Sequence, residues 1–257
     1  MSAGLRFWSK GLAVLAVLSA LPIPASGIPF SYPDMTGTTV LYTGISEESV
    51  TDPSLALFGA PTITGDELVF SPSLFSAVSD FGGVDQRVGA FSISVHALPL
   101  QGIHTLRLRE SGTYTLLGSA PDVAEALVGG ALIGEVIEID GGAVAPGLDL
   151  RFEVPLNFSG GSGSFTLGPS PEVEAAWSGS AGVDIDALLA SRGASGTATR
   201  VQFSMANDTL AAISASGTQA RIEKNSVAVA ANVPEPSSLG IVIGLAALVA
   251  LHLRRRR

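Results

Sequence analysis

Apolar and polar residues alternate one by one along much of the chain. The clearest alternating segments are FSISVHA (residues 91–97), LDLRFEVPLNF (residues 148–158) and RVQFSM (residues 200–205). Successive side chains of a β-strand point to opposite faces, so this pattern predicts antiparallel strands with one buried face and one face open to water. Pro155 falls on the polar register of the second segment. Because proline has no N–H to donate to a neighbouring strand, we expect an edge strand or a bulge there.

Glycine-rich turns separate the alternating segments and set the expected number of strands. GDE, FGGVDQRVG, IDGGAVAPG and FSGGSGS are examples of these turns, and glycine and proline favour chain reversals. Their spacing predicts roughly ten to thirteen strands, as in a β-sandwich or jelly roll. We therefore predict an all-β fold, a single β-sandwich or jelly-roll-like domain over residues 28–232.

Two segments have helical character instead. VDIDALLASRG (residues 183–193) would open at Val183 or Asp184 and close at Gly193, because aspartate favours helix starts and glycine favours helix ends. APDVAEALVGG (residues 120–130) is a second, shorter candidate. Neither changes the prediction of a fold dominated by strands.

The first residues of the chain have the order of a secretory signal peptide. Arg6 and Lys10 form a basic start, residues 11–21 form an apolar run, and PIPASG (residues 22–27) supplies helix-breaking prolines and small residues. The apolar run is too short to span a membrane comfortably as a permanent anchor. We therefore predict a cleaved signal peptide over residues 1–27 and export of the protein.

The last residues combine a proline-flanked glutamate, an apolar run and a basic end. Residues 237–253 carry no charged side chain and would form a helix of about 25 Å, the lower limit for crossing a bilayer. By the positive-inside rule, four arginines would hold the C-terminal side in the cytoplasm; they are Arg254, Arg255, Arg256 and Arg257. Pro234 and Pro236 cannot extend the helix backwards, so VPEP should stay extended and accessible to a processing enzyme. We predict a sorting signal over residues 233–257.

VPEPSS, LGIVIGLAALVALHL and RRRR, in that order at the end of the chain, resemble the C-terminal sorting signal of PEP-CTERM proteins. The resemblance implies a Gram-negative bacterium that makes exopolysaccharide. It also implies processing by an exosortase, a membrane-embedded enzyme that cuts near the Pro-Glu-Pro. Pro234, Glu235 and Pro236 would be the recognition tripeptide, a substrate site without a catalytic role of its own.

Three stretches of the body resemble, more loosely, the region before this signal in PEP-CTERM proteins. They are DELVFSPSLFSAVS, GIHTLRLRESGTYTLLG and NDTLAAISASGTQARIEKNSVAV. This second resemblance supports a β-sandwich and implies no particular activity.

The charge of the body excludes one class of partner. Residues 28–233 contain 22 Asp and Glu against 8 Lys and Arg, a net charge of −14. Such an acidic surface repels phosphates, so we expect no nucleic-acid partner. The chain has no cysteine, which excludes disulfides, thiolate metal sites and cysteine nucleophiles.

The candidate chemistry rests on two histidines and two pairs of acids. His96 and His104 would come from one hairpin, which raises the alternative of a metal site. The favoured interpretation is an exposed imidazole at His96 and a half-buried one at His104. Glu138 and Asp140 have the spacing of residues on one strand face, and so do Asp184 and Asp186 if their segment is extended. Paired acids can serve glycoside hydrolysis or bind Ca²⁺.

A structural interpretation of the acids and aromatics is favoured. Arg151 lies across a turn from Glu138 and Asp140, which predicts a solvated cross-strand ion pair. Trp177 and Tyr114 would stack on sugar rings only if they were exposed, and core burial is the default for both. We therefore expect no catalytic residues, no metal and no cofactor.

Taken with the two ends, these features predict a non-catalytic, exported protein of the cell surface or exopolysaccharide matrix. The tail would hold the body outside the inner membrane until an exosortase acts, and exopolysaccharide is a further expected partner. A carbohydrate-binding module is the first alternative, and a secreted glycan hydrolase is the second.

Overall fold

The structure, a computed structural model, describes residues 29–119, 122–159 and 161–233, apart from the side chain of Asn207. Within these ranges the chain forms sixteen strands and one α-helix, and their bounds in chain order are β1 (Phe30–Ser31), β2 (Met35–Thr36), β3 (Val40–Ser49), β4 (Thr62–Thr64), β5 (Glu67–Phe70), β6 (Ser76–Asp80), β7 (Gly83–Ala97), β8 (Thr105–Leu117), β9 (Ala124–Ile139), β10 (Gly142–Ala143), β11 (Arg151–Pro155), β12 (Asn157–Phe158), β13 (Ser164–Thr166), β14 (Glu172–Asp184), α1 (Ile185–Ser191), β15 (Ala198–Ser214) and β16 (Gln219–Asn232).

The strands form two antiparallel sheets arranged as a sandwich. The first sheet has the order β1-β3-β7-β15-β9-β10, with β2 paired to β3 and both β11 and β13 paired to β9. The second sheet has the order β12-β14-β8-β16-β5-β4, with β6 paired to β16. The all-β, sandwich-like prediction is therefore confirmed.

Alternation along the long strands builds the core between the sheets. Phe91, Ile93 and Val95 of β7 are buried, and so are Val201 and Phe203 of its neighbour β15. The intervening polar residues of both strands point away from this core. Since only one face of each strand is apolar, burying that face against a second sheet is what removes it from water.

The segment of residues 148–158 serves both sheets. Arg151–Pro155 pairs only with β9 at the edge of the first sheet, whereas Asn157–Phe158 pairs with β14 at the edge of the second. Leu156, between them, is buried in the core. Pro155 ends the edge strand β11, so its predicted edge position is confirmed.

One of the two predicted helices forms. Asp184 is the N-cap of α1, where its side chain accepts a hydrogen bond from the N–H of Ala187 at 2.9 Å. Gly193 follows the helix with φ 71°, a left-handed conformation that glycine adopts easily. The predicted opening and closing residues of this helix are confirmed.

The second predicted helix is wrong, because residues 124–130 belong to β9. Ala124, Ala126 and Val128 are buried in alternation, and the segment pairs with β15 on one side and with β13 on the other. Alanine, glutamate and leucine favour helices in isolation, but two strand neighbours and a period-two apolar pattern override that preference.

The predicted number of strands was too low, because six of the sixteen strands have only two or three residues.

The predicted signal peptide (residues 1–27) and the sorting signal from Pro234 onwards lie outside the described residues. The one described helix, α1, has seven residues. Among the described residues, no helix is both long enough and apolar enough to cross a membrane.

Candidate functional site

A lysine and two carboxylates meet in the core between the two sheets. This lysine cluster consists of Lys224 on β16, Glu110 on β8 and Asp208 on β15. Strands β8 and β16 are neighbours in the second sheet, whereas β15 belongs to the first. The cluster therefore joins the two layers of the sandwich.

A bulge in β15 turns Asp208 towards the core, where the alternation of β16 already places Lys224. The pairing register of β15 shifts between Met205 and Asp208, and the register of β16 shifts between Lys224 and Ser226. A bulge inserts an extra residue and so changes which face the following side chains point to. Asp208 thus faces the core three residues after buried Met205, a spacing that unbroken alternation would not allow.

The three side chains are sealed from solvent and touch directly. Lys224 Nζ donates to Glu110 Oε2 at 2.8 Å and contacts Asp208 Oδ2, and all three side chains have 0% exposure. The second carboxylate oxygens, Glu110 Oε1 and Asp208 Oδ1, have no hydrogen-bond partner among the described residues. A buried ionised oxygen without a donor is costly.

The charges within the cluster do not balance when all three groups are ionised. One ammonium and two carboxylates would leave a net negative charge where water cannot reach, which is strongly unfavourable. Burial and the neighbouring Glu110 charge raise the pKa of Asp208 well above its usual range, and burial also raises the pKa of Glu110. Both shifts favour a proton on one of the carboxyls over a second buried negative charge.

Aromatic rings cover the amine. The centroid of the Phe75 ring lies 4.9 Å from Lys224 Nζ, and those of Phe58 and Trp177 lie at 5.9 and 6.0 Å. Phe58 packs edge-on against Phe75 at 5.2 Å. These rings attract a cation through their π faces and exclude water from it.

Glu47 fixes the loop that carries Phe58. Its carboxylate accepts hydrogen bonds from the N–H of Phe58 at 2.7 Å, the N–H of Gly59 at 3.2 Å and the hydroxyl of Tyr32 at 2.7 Å. We call this arrangement the Glu47 clamp. Glu47 is 2% exposed, and burial raises its pKa despite these donors.

An open groove of about 630 Å³ runs over the second sheet next to the cluster. Five serines line it together with Arg109, Asn157 and Phe158; they are Ser111, Ser159, Ser178, Ser180 and Ser226. We call it the serine groove. Glu110 also borders this groove, although its side chain is fully buried in the lysine cluster.

A second groove, also of about 630 Å³, contains both histidines and is called the histidine groove. His96 Nε2 lies 2.9 Å from the hydroxyl of Thr43, and His104 Nδ1 lies 2.5 Å from Asp186 Oδ2. Burial lowers the pKa of His96. Among the described residues, no group of three or more His, Asp or Glu side chains is arranged to hold a metal ion.

The first predicted acid pair is only partly as expected. Glu138 lies in the histidine groove on β9 and pairs with Arg200 at 3.4 Å, not with Arg151. Asp140 is not on a strand: it occupies the turn after β9 with φ 48°, and its carboxylate accepts from the N–H of Thr197 at 2.9 Å.

The predicted cross-strand pair involving Arg151 is also wrong. Arg151 binds Asp149, two residues away on its own segment, through bonds of 2.8 and 3.0 Å. Its partner on the neighbouring strand is Glu135, three residues before Glu138, so the strand register directs Arg151 away from the expected acids.

The second acid pair is divided by the helix. Asp184 caps α1, and Asp186 in the first turn reaches His104. The alternative in which both acids share a strand face does not arise, because the strand ends at Asp184.

The aromatic candidates are occupied by packing. Trp177 is 2% exposed and donates from its indole N–H to the carbonyl of Glu223 at 3.2 Å. Tyr114 is half-buried and stacks on Phe165 with ring centroids 4.2 Å apart. The core burial predicted for both rings is confirmed for Trp177, whereas Tyr114 is only half-buried.

Sequence reasoning missed the lysine cluster and the Glu47 clamp. One signal for the cluster was present, because Ala220, Ile222 and Lys224 share one register of β16, where a lysine interrupts an apolar face. Nothing comparable marks Glu47 or Asp208.

No family model, curated protein or solved structure matches the chain.

Proposed function

We propose that this protein is an exported, non-catalytic protein of the cell surface or exopolysaccharide matrix, sorted through its C-terminal signal by an exosortase. In this proposal residues 1–27 are a signal peptide, residues 237–253 are a transmembrane helix, and the sandwich between them is the delivered body. The partners are the exosortase, the inner membrane until processing, and exopolysaccharide.

One observation carries the proposal: along the sequence, every described strand lies between the two proposed processing sites. The first strand begins at Phe30, just after the proposed signal peptide, and the last strand ends at Asn232. Val233, 7% exposed, is buried in the core, and Pro234 is the next residue. Cleavage at the two sites would therefore leave every described strand in the mature body.

The side chains that suggested catalysis are compatible with a structural body. Glu138 is paired with Arg200, Asp140 holds a turn, and Asp186 is paired with His104. Each of these contacts uses a carboxylate for local structure, which is the usual role of charged residues at strand ends and turns.

The tail is tested by replacing Pro234, Glu235 and Pro236 with alanine and fractionating cells that express the protein. We expect insertion to persist, since the apolar span is intact, and the full-length chain to accumulate in the inner membrane because processing stops. The matched control replaces Ser237 and Ser238, which follow directly, with alanine. Processing of the tripeptide variant at the wild-type rate would refute the sorting proposal.

A carbohydrate-binding module is the second candidate, and the serine groove favours it. Clustered hydroxyls, the amide of Asn157 and the guanidinium of Arg109 are groups that hydrogen-bond to sugar hydroxyls, and the ring of Phe158 lies among them. The test is glycan-array binding by wild type and by Asn157→Ala. Arg107→Ala, an exposed change on the same strand as Arg109 but away from the groove, is the control.

A glycan hydrolase is the third candidate, and the histidine groove is where it would act, since Glu138 and Asp140 both line that groove. Turnover of polysaccharide by the purified protein, lost in Glu138→Gln, would replace the non-catalytic proposal with this one.

A further inference from the structure

We propose that Lys224 and Asp208 form an intramolecular amide bond between the two sheets, with Glu110 as the acid–base catalyst. This inference goes beyond the proposed function and does not depend on it. It rests on the contacts of Lys224 with Asp208 and Glu110, on the burial of these three side chains, and on the presence of a lysine rather than an arginine at position 224.

The reacting groups are already in contact. Lys224 Nζ touches Asp208 Oδ2, so Asp208 Cγ lies one bond beyond the atom that the amine contacts. Holding two reactants together in this way replaces a bimolecular encounter by an intramolecular step and removes a large part of the barrier. The bulge before Asp208 turns its side chain into the core, where Lys224 already points from the apolar register of β16.

Exclusion of water favours the neutral forms that react. The three side chains are fully buried beneath Phe58, Phe75 and Trp177. Passing a proton from the ammonium to a carboxylate turns an ion pair into an uncharged amine and an uncharged acid, which suits a site of low polarity. An uncharged amine has the lone pair that attack requires.

The proposed step balances as a dehydration. The Lys224 Nζ lone pair attacks Cγ of protonated Asp208 and forms a C–N bond. Glu110, in contact with Nζ at 2.8 Å, takes a proton from the nitrogen and delivers it to the departing hydroxyl of Asp208. The C–O bond breaks, one water molecule leaves, and Glu110 ends in the protonation state in which it began. No oxidant, reductant or metal is needed.

The product removes one unfavourable feature of the cluster, a buried oxygen without a partner. The Lys224–Asp208 amide is neutral, and the net charge of the cluster is unchanged because Glu110 keeps the carboxylate charge with which it began. The remaining amide N–H stays beside Glu110, and one of the two buried Asp208 oxygens is lost as water. That change removes a polar oxygen from a site where Asp208 Oδ1 has no partner.

The choice of residue also fits a nucleophile. Lys224 is the only lysine in residues 28–233, and the other seven basic residues of this range are arginines. Lysine is rarely fully buried, whereas this one has 0% exposure. An arginine would supply the same positive charge for a buried ion pair, but its guanidinium stays protonated and does not attack a carboxyl.

The bond would provide the chain with a covalent tie across its layers. It would join β15 of the first sheet to β16 of the second and close a loop over residues 208–224. The chain has no cysteine and so no disulfide for this purpose. Asp208 is the proposed acceptor rather than Glu110 because it is the partner of the amine from the opposite sheet.

The test is peptide mapping of the full-length wild-type chain, folded, incubated, then denatured and digested with trypsin. Trypsin cuts after Arg200 and Arg221, and after Lys224 only if its amine is free. We expect a branched peptide that joins residues 201–221 to the peptide beginning at residue 222, lighter by one water than the sum of its parts. Recovery of residues 201–221 and 222–224 only as linear peptides would overturn the proposal.

Two variants and one further outcome sharpen the assignment. Lys224→Arg keeps the charge and the trypsin site but cannot form the amide, so it should give only linear peptides. Glu110→Gln removes the proton relay and should leave most of the protein unlinked; linkage to the wild-type extent would overturn the role of Glu110. A branch from Lys224 to residues 110–151 would show that Glu110 is the acceptor and refute the assignment to Asp208. The wild-type map decides the central point even if a variant fails to fold.

Discussion

Replacing Glu47 with alanine should loosen the loop that covers the lysine cluster. The Glu47 clamp holds the N–H groups of Phe58 and Gly59, and the ring of Phe58 packs over the Lys224 amine. Without the carboxylate, both N–H groups lose their acceptor, and the hydroxyl of Tyr32 loses one as well. The substitution therefore weakens the cover of the cluster without touching the cluster itself.

The size of the effect follows from the donors left behind. Phe58 N–H is in a fully buried bond, and an unsatisfied buried donor costs about 1–3 kcal/mol. Gly59 N–H is partly buried and its bond is longer, so it adds less. We expect Glu47→Ala to lower the free energy of unfolding by about 2–4 kcal/mol, and Tyr32→Phe to lower it by about 1 kcal/mol.

The assay is urea denaturation followed by far-UV circular dichroism. Glu48→Ala is the matched control, because Glu48 is the next residue of β3 and points to the other face; it should change stability by at most about 0.5 kcal/mol. Burial raises the pKa of Glu47 in the folded protein above its ordinary value. The stabilisation by Glu47 is therefore greatest at a pH below the ordinary pKa of glutamate, and it declines as pH rises through the raised pKa of the folded protein. Equal losses for the two glutamate variants would refute the clamp.

Three further predictions concern the core and the histidine groove. Gly112→Ala places a Cβ 1.9 Å from the Glu223 carbonyl and should lower the free energy of unfolding, measured by urea denaturation, by about 1–3 kcal/mol. Gly129→Ala is the control and should lower it far less, because the space around Gly129 is open. Similar losses for the two variants would contradict the packing around Gly112. Compared with Lys224→Arg, which keeps the cation and cannot form the amide, Lys224→Met leaves two buried carboxyls without a cation. It should be less stable than Lys224→Arg by about 3–5 kcal/mol near neutral pH and by less in acid, because the raised pKa values of the carboxyls let them take up protons; a pH-independent difference would count against the cluster. Burial lowers the pKa of His96 from its ordinary 6.5, so the stability of the wild type should fall as pH drops through 6.5. In His96→Gln the melting temperature should fall less over the same pH range. Parallel curves of melting temperature against pH would exclude a contribution of His96 to the pH dependence.

Much of the fold was predictable because the same residues satisfy both the local and the tertiary requirements. In β7, the alternation of Phe91, Ile93 and Val95 with serines specifies a strand, and the sandwich buries that face. At α1, Asp184 and Gly193 supply the cap and the stop at the predicted places. Local pattern and final contacts agree at these positions.

The errors arose where distant pairing decides the structure. Residues 124–130 have helix-forming composition, but β13 and β15 on either side hold them as a strand. The partner of Arg151 depends on the register of β11 against β9, which places Glu135 opposite it. Register depends on contacts that no short window of sequence contains.

The lysine cluster was hidden for the same reason. Lys224 meets Glu110 across 114 residues of sequence, and a bulge shifts Asp208 onto the core face against the simple alternation. A bulge changes the parity of a strand, so a period-two pattern assigns the residues after it to the wrong face. Only the lysine in the apolar register of β16 pointed to this site.

The termini of the mature protein test the central claim, delivery of the sandwich between two processing sites, most directly. Terminal peptide mass spectrometry should be applied to the protein recovered from the envelope and medium of the cells that make it. The account predicts an N-terminus near residue 28 and a C-terminus near Pro234–Pro236, with residues 239–257 absent from the delivered form. A chain that retains residues 1–27 together with Arg254, Arg255, Arg256 and Arg257 would contradict it.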